Sequence, residues 1–166
     1  QKVNPLFADG RAYRAPVSGT VARGELSADG HYERGVVGGD WAKAFPPQIK
    51  LDEATLERGH QRFNIYCATC HGRLGVGDGL IARRAVELED PAWVPPLSLH
   101  APTVIVQPVG QLFNSITQGV RKMPPYGAQI STQDRWAILL YVRALQRSQN
   151  AAEADVPENQ RAALDP

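Results

Sequence analysis

Tyr66-Cys67-Ala68-Thr69-Cys70-His71-Gly72 is the stretch on which the reading of this 166-residue chain turns. It holds the only 2 cysteines of the sequence, three positions apart, with a histidine directly after the second. Thiols at that spacing share one helical turn and can each add to a vinyl group of the same porphyrin. The adjacent histidine is then held under the ring, where its imidazole reaches the iron. A structural zinc site asks for four ligands, commonly two such pairs, and no further cysteine exists here. A thioredoxin-like redox pair asks for a strand–helix–strand context, whereas these cysteines end a helical pattern. The C-x-x-C-H run therefore reads as covalent attachment of a c-type haem through Cys67 and Cys70, with His71 as the proximal ligand.

The sixth ligand is to be found downstream. Met123, the one methionine, lies in Arg121-Lys122-Met123-Pro124-Pro125-Tyr126. A lone methionine is ordinarily a core gap-filler, but this one sits in a proline-rich loop between two helical patterns. A thioether favours reduced iron and so raises the potential. Met123 is the expected axial partner of His71, with His100 its rival and with His31 and His60 read as solvent-facing or capping. A ligating histidine normally donates its other ring N–H to a carbonyl. The Pro95-Pro96-Leu97 loop is the expected supplier, because prolines leave their carbonyls free, so Pro95 and Pro96 count among the cofactor-binding residues. Gly75, Gly77 and Gly79 look like part of a nucleotide loop, yet no strand precedes them; they read as a tight path beside the porphyrin edge. Arg121 and Lys122 suit haem propionates, a redox partner or a solvated loop edge alike. Arg83-Arg84 reads as surface charge.

Around this centre the chain divides into three parts. Residues 1–50 carry little periodicity and many glycines and prolines, the pattern of an extended arm. Its interleaved anchors Leu6, Phe7, Tyr13, Tyr32, Trp41 and Phe45 are unlike a disordered leader, so the arm is expected to be ordered against its own core or a neighbouring protein. Residues 51–147 form the haem domain. A helix starts near Asp52, with Leu56, Gly59, Phe63 and Tyr66 or Cys67 on one face and Glu53 and Glu57 near its positive end. Gly59 costs about 1 kcal/mol against alanine inside a helix, which points to close approach of another element. Leu80 to Leu88 has the length of a helical turn or two, Pro91, Pro95, Pro96, Pro102 and Pro108 exclude a long helix, and Gln111 to Gln118 reads as a short helix ending at Gly119. The last helix opens on Ser131 and Asp134, a capping pair, and carries Trp136, Leu139, Leu140, Tyr141, Ala144 and Leu145. Gly59 and Phe63 are expected to cross it at Trp136, Leu140 and Tyr141. Residues 148–166 hold one arginine against Glu153, Asp155, Glu158 and Asp165, an acidic tail expected to be mobile.

Composition narrows the class further. With 18 Lys and Arg against 17 Asp and Glu, the net charge is +1, which argues against nucleic-acid binding, where a basic stripe is the rule. The 15 glycines and 13 prolines mark a loop-rich chain. No apolar run reaches the roughly 18–20 residues that span a bilayer. The chain opens at Gln1 and its one methionine is internal, which favours a processed precursor.

Helix, C-x-x-C-H, proline loop, Met loop and final aromatic helix, in that order, make residues 51–147 resemble a class I cytochrome c domain. The resemblance implies an all-α fold around one covalently bound haem. Across residues 5–150 the chain also resembles something narrower. Arg14-Ala15-Pro16-Val17, Gly19-Thr20-Val21-Ala22-Arg23-Gly24, Gly77-Asp78-Gly79, Pro95-Pro96-Leu97-Ser98-Leu99-His100, Met123-Pro124-Pro125-Tyr126, Asp134-Arg135-Trp136-Ala137-Ile138 and Tyr141-Val142-Arg143-Ala144-Leu145-Gln146 are similar to the monohaem cytochrome c subunit of alternative complex III. That family implies a bacterial quinol-oxidising membrane assembly with a multihaem cytochrome, an iron–sulfur protein and integral membrane subunits. The monohaem subunit is peripheral, on the periplasmic side, held by its partners or by a lipid anchor on an N-terminal cysteine that this sequence does not contain. Electron transfer to a periplasmic acceptor or terminal oxidase is then the expected function, without catalytic residues of its own. The alternatives are a free periplasmic shuttle, disfavoured by the long arm, and a haem enzyme, which needs the sixth position that Met123 is expected to fill.

Overall fold

In a computed structural model of the chain, residues 3–10, 17, 20, 21, 28–89 and 91–163 are described. Tyr13, Arg14 to Pro16, Gly19, Ala22 to Gly24 and Asp165 lie outside them, and with them most of the N-terminal part of the narrower resemblance. The described residues are mainly helical. α1 (Gly30–Arg34) leads into a two-stranded antiparallel hairpin, β1 (Val36–Val37) and β2 (Asp40–Trp41), paired Val36 to Trp41 and Val37 to Asp40. α2 (Glu53–Tyr66), α3 (Ala68–His71), α4 (Leu80–Glu87), α5 (Pro102–Ile105), α6 (Val109–Gln118) and α7 (Thr132–Gln149) follow. No described helix is long and apolar enough to cross a membrane.

Local chemistry sets the helix ends. The Asp52 side chain accepts from the Thr55 amide at 2.9 Å and caps α2, with Glu53 in the first turn. Ser131 Oγ accepts from the Asp134 amide at 3.2 Å and caps α7. In a capping box the acid at the third helical position reaches back to the cap amide. Here the Asp134 carboxylate turns instead to Arg58 on α2, accepting from Nε at 2.7 Å and Nη2 at 3.0 Å. Pro102 stands in the first turn of α5, where its missing N–H leaves no bond unmade.

α7 is apolar on most of its circumference, as a central helix must be. Trp136 and Ile138 are fully buried, and Ala137, Leu139, Val142 and Leu145 are nearly so. α2 crosses it at Gly59, where a Cβ would lie 2.0 Å from the Ala137 carbonyl oxygen. Only glycine lets the two backbones meet there. Phe63 follows one turn later, fully buried and 5.3 Å from the Tyr141 ring. α6 packs from the other side, its Phe113 ring stacked on Trp136 at 4.2 Å. An aromatic stack of this kind adds about 1 kcal/mol to the burial itself.

Residues 28–50 take the first of the two courses expected of the arm and order against the chain's own core. The indole N–H of Trp136 donates to the Tyr32 carbonyl at 2.7 Å, and the Phe45 ring meets Trp136 edge-on at 5.8 Å. The Ala42 amide donates to Gly35 and the Gly110 amide to Ala42, at 2.8 and 2.9 Å, which stitches the hairpin to the start of α6. Arg135, almost fully buried, joins the same seam. It donates to Thr117 and Thr132, lies 4.7 Å over the Phe113 ring, and Thr132 in turn donates to Glu33 at 3.0 Å. Tyr32 and Phe45, expected as anchors for a core or a partner, are thus anchors for the chain's own core. Phe7 and Trp41 remain 38% and 39% exposed. A weak periodicity hid this packing because the segment fills a groove with turns rather than with one helical or strand face. At the other end α7 runs on to Gln149, and residues 153–155 and 158–163 wind into short 3₁₀ turns, with Arg147 paired to Asp155.

Two outcomes test this architecture. Gly59→Ala gains about 1 kcal/mol of helix propensity yet should lower the unfolding free energy by about 2 kcal/mol, because the helices must part; chemical denaturation followed by circular dichroism measures it. The Arg58 hydrogen bonds, then the charges of Arg58 and Arg62, hold the Asp134 carboxyl below the ordinary carboxylate range. A depressed carboxylate stabilises the fold above its unfolded pKa and ceases to do so as pH falls through the folded value. Stability should therefore drop below about pH 4, and Asp134→Asn should flatten that acid limb of the denaturation profile.

Candidate functional site

The C-x-x-C-H residues sit where α2 gives way to α3. Cys67 ends the one helix and caps the other, and its carbonyl accepts from the Cys70 and His71 amides at 3.1 and 2.9 Å. This tight turn brings both thiols and the imidazole onto one short segment. The two cysteines are free thiols. Burial, and then the neighbouring Cys70, push the Cys67 thiol up to about 12. No group of three His, Cys, Asp or Glu side chains among the described residues offers a metal clamp.

The glycine run after the motif folds straight back on it. The Gly77 amide donates to the His71 carbonyl at 2.8 Å and the Gly79 amide to the Cys70 carbonyl at 3.0 Å. A Cβ on Gly79 would lie 2.6 Å from that same carbonyl carbon, so the path closes only with glycine. The Leu99 amide then donates to Gly75 at 2.7 Å, and His100 Nε2 donates to the Leu74 carbonyl at 2.6 Å. His100, the rival ligand, thus spends that ring nitrogen on a loop carbonyl. His31 donates Nε2 to the Ala44 carbonyl at 2.9 Å and lies half-buried at the edge of Trp136, not in solvent. His60 is exposed and stacks on Tyr141 at 4.7 Å.

Within the proline loop it is the Leu97 backbone that acts on His71. It raises the imidazole's proton affinity, as an accepting carbonyl does, but burial outweighs it and the pKa is lowered overall. Nδ1 is buried with no partner in hydrogen-bonding geometry, so the Leu97 contact is a loose one. Pro95 is exposed, and the Pro96 carbonyl lies against Gly77, where a Cβ would be 2.7 Å away. A buried, neutral imidazole with its Nδ1 turned to a backbone carbonyl is the form in which histidine binds a metal through Nε2.

Met123 closes a tight turn. Val120 and Met123 exchange backbone hydrogen bonds at 3.1 and 2.9 Å around Arg121, which has φ +53°, and Lys122. Beyond it, the Tyr126 and Gly127 amides donate to the Ile116 and Thr117 carbonyls at 2.9 and 3.1 Å, so the loop satisfies the free end of α6. Met123 is half-buried against the same apolar core that receives Tyr66, Cys67, Ala68, Leu99 and Tyr126. The Tyr126 phenol has its pKa raised by burial and then by Cys70 and Cys67, which places it beside the thiols. The Tyr126 ring, three residues after Met123, meets the ring of Tyr66, directly before Cys67, edge-on at 6.5 Å, which brings the Met123 loop near the start of the Cys67–His71 turn. Arg121 and Lys122 are exposed at the tip.

The donor set fits a c-type haem: two free thiols one turn apart, a largely buried imidazole directly after the second, and a loop thioether packed on the same core. α7 positions the loops between. Arg143 donates to the Ile105 and Gln107 carbonyls, and Gln146 donates to Leu99 at 2.6 Å, which fixes residues 99–107 on the helix. These two clamps, and the approach of Tyr126 to the cysteines, escaped the sequence reading. The run Tyr141-Val142-Arg143-Ala144-Leu145-Gln146 was its one signal, a long cation inside an apolar stripe.

Comparison with known proteins follows the same line. No curated protein matches the chain. Among solved structures, a chain of the Kuenenia stuttgartiensis reducing HAO-like protein complex is similar at 26% identity and a TM-score of 0.48, over 58% of this chain and 46% of that one. This chain thus spans less than half the length of that neighbour. Residues 54–142 match the family model described as cytochrome C oxidase, cbb3-type, subunit III. That match covers more than half of the sequence and runs from the second residue of α2 to Val142 in α7, so the chain belongs to this family of c-type cytochromes, whose haem c domains transfer electrons.

Proposed function

We propose that the chain is the monohaem cytochrome c subunit of an alternative complex III, a membrane-bound quinol-oxidising assembly, and passes single electrons on the periplasmic side to a soluble acceptor or a terminal oxidase. Cys67 and Cys70 bind one haem c as thioethers, His71 is its proximal ligand and Met123 its distal one. The observation that supports the electron-transfer reading is the edge-on contact of Tyr126 with Tyr66 at 6.5 Å, which brings the Met123 loop near the Cys67–His71 turn. With His71 and Met123 as its two protein ligands, a bound haem would offer no open position to a substrate or peroxide, and the chemistry it would supply is outer-sphere transfer of an electron. His71 is held neutral by burial, with Leu97 to orient it, and the Met123 turn is fixed by its bonds to Val120 and to the end of α6.

The narrower assignment draws its support from the residue-level resemblance across Pro95–His100, Met123–Tyr126 and Asp134–Gln146. A free shuttle gains nothing from an N-terminal extension beyond the residues that cover its core. The extension ahead of residue 28 is the part we assign to the partners, namely the multihaem cytochrome, the iron–sulfur protein and the integral membrane subunits.

Met123→Ala should keep its haem through denaturing electrophoresis with haem staining, lose the weak near-infrared sulfur-to-iron band and show a lowered midpoint potential. A mutant that retains the band would exclude Met123 as ligand. Deleting residues 1–27 leaves Tyr32 and Phe45 on Trp136, so the haem spectrum and potential should stay at their wild-type values. The truncated subunit should nevertheless be missing from the complex purified out of native membranes; copurification in full stoichiometry would place the tether elsewhere.

A further inference from the structure

Among the described residues the buried polar or charged side chains are Arg135, 6% exposed, and Gln146, 5% exposed. Arg135 belongs to the seam that it shares with Thr117 and Thr132. Gln146 lies near the other end of α7, and burying an amide costs free energy unless its ends are paired. Here both are. Nε2 donates to the Leu99 carbonyl at 2.6 Å, and Oε1 accepts from Arg143 Nη1 at 2.7 Å. A guanidinium has donors only, so Arg143 fixes which end of the amide faces Leu99.

Leu99 is where this side chain meets the loops of the C-x-x-C-H turn. Its amide donates to the Gly75 carbonyl at 2.7 Å, and the His100 ring donates to the Leu74 carbonyl beside it at 2.6 Å. Gln149, one turn further along α7, reaches that same Leu74 carbonyl at 3.4 Å. Residues 74–75 and 99–100 are thus bonded to each other and each held from α7. The glycine run continues this contact towards His71. A Cβ on Gly77 would lie 2.7 Å from the Pro96 carbonyl oxygen and 3.8 Å from the Ser98 amide nitrogen, and the Gly77 amide donates to His71 at 2.8 Å. Residues 96–98 therefore lie on the turn that closes over His71, and the Leu97 backbone among them acts on the imidazole.

We propose that Gln146 is a positioning residue for the proximal ligand of the haem: by holding Leu99 it sets how closely the Leu97 carbonyl approaches His71 Nδ1. This rests on the haem reading of Cys67, Cys70 and His71. A carbonyl nearer the ring N–H makes the imidazole a more basic ligand, which favours ferric iron and lowers the potential. A carbonyl that drifts away does the reverse.

Gln146→Met keeps the length and nearly the volume of the side chain and removes the donor, while Arg143 keeps the Ile105 and Gln107 carbonyls. The test uses the full-length protein with its covalent haem, with haem staining and the near-infrared band as controls. The midpoint potential should rise, and the His71 Nδ1 proton of the reduced protein should move upfield by NMR. The Leu99 amide should exchange with solvent about tenfold faster, the equivalent of one buried hydrogen bond. Faster exchange with the potential and the ring proton unmoved is the mark of a merely structural clamp and overturns the proposal. Unchanged exchange at Leu99 overturns the clamp as well. Absence of covalent haem in the wild type overturns the haem reading instead. Should Gln146→Met fail to accumulate, Gln146→Glu, which keeps the Arg143 partner and loses the donor, is read in the same way. In the wild type, the Gln146 side-chain amide protons should exchange at least about tenfold more slowly than those of exposed Gln149; equal rates overturn the proposal without any variant.

Discussion

The contact of α2 with α7 at Gly59, backbone against backbone, is the constraint from which the other distances follow. With a Cβ position only 2.0 Å from the Ala137 oxygen, the helices sit as near as two helices can. That closeness brings Phe63 under Tyr141 and lets Arg58 reach Asp134 in the first turn of the partner helix. It also fixes where α2 ends. Cys67 follows Tyr66 directly, so the placement of the thiols and of His71 is inherited from a helix crossing two turns earlier. A site built on rigid elements keeps its geometry better than one built on loops, and this site hangs its two covalent positions on such an element.

The loops that complete the site are held by borrowed hydrogen bonds rather than by a core of their own. The glycine run uses the Cys70 and His71 carbonyls, the Met123 loop uses the last carbonyls of α6, and Arg143 and Gln146 collect the carbonyls of 99, 105 and 107. Every helix leaves such carbonyls unpaired at its end, so the fold turns an obligatory defect into a set of fixings. Among the described residues the buried side-chain atoms without a partner include His71 Nδ1, Trp93 Nε1 and His100 Nδ1 around these loops, and Arg62 Nε, Asn64 Oδ1 and Arg135 Nε elsewhere.

Trp136 has a second consequence. One residue of α7 stacks on Phe113, meets Phe45 and His31 edge-on and donates to Tyr32. Residues 28–50 are therefore a lid over the aromatic centre of the haem domain, and the boundary between an N-terminal part and a haem part, as far as packing is concerned, lies nearer residue 28 than residue 50. Burying Tyr32, Phe45 and Pro46 in this way supplies apolar area that a small, loop-rich domain lacks.

The helical class, the haem motif and the helix positions were legible in the sequence because each rests on local rules: two thiols on one turn, Asp52 and Ser131 as caps, prolines that stop helices, and a glycine where a helix has no reason for one. Gly59 even announced its crossing, since its cost in propensity asks for a return elsewhere. What the sequence left open depended on contacts between distant residues. Whether Tyr32 and Phe45 face a partner or Trp136, whether the loop carbonyl near His71 belongs to a proline or to Leu97, and whether His100 takes a metal or the Leu74 carbonyl are decided by which surfaces the crossing of α2 and α7 brings together. Periodicity carries no record of such choices in a segment of turns, where each side chain faces its own direction and only the completed packing says toward what.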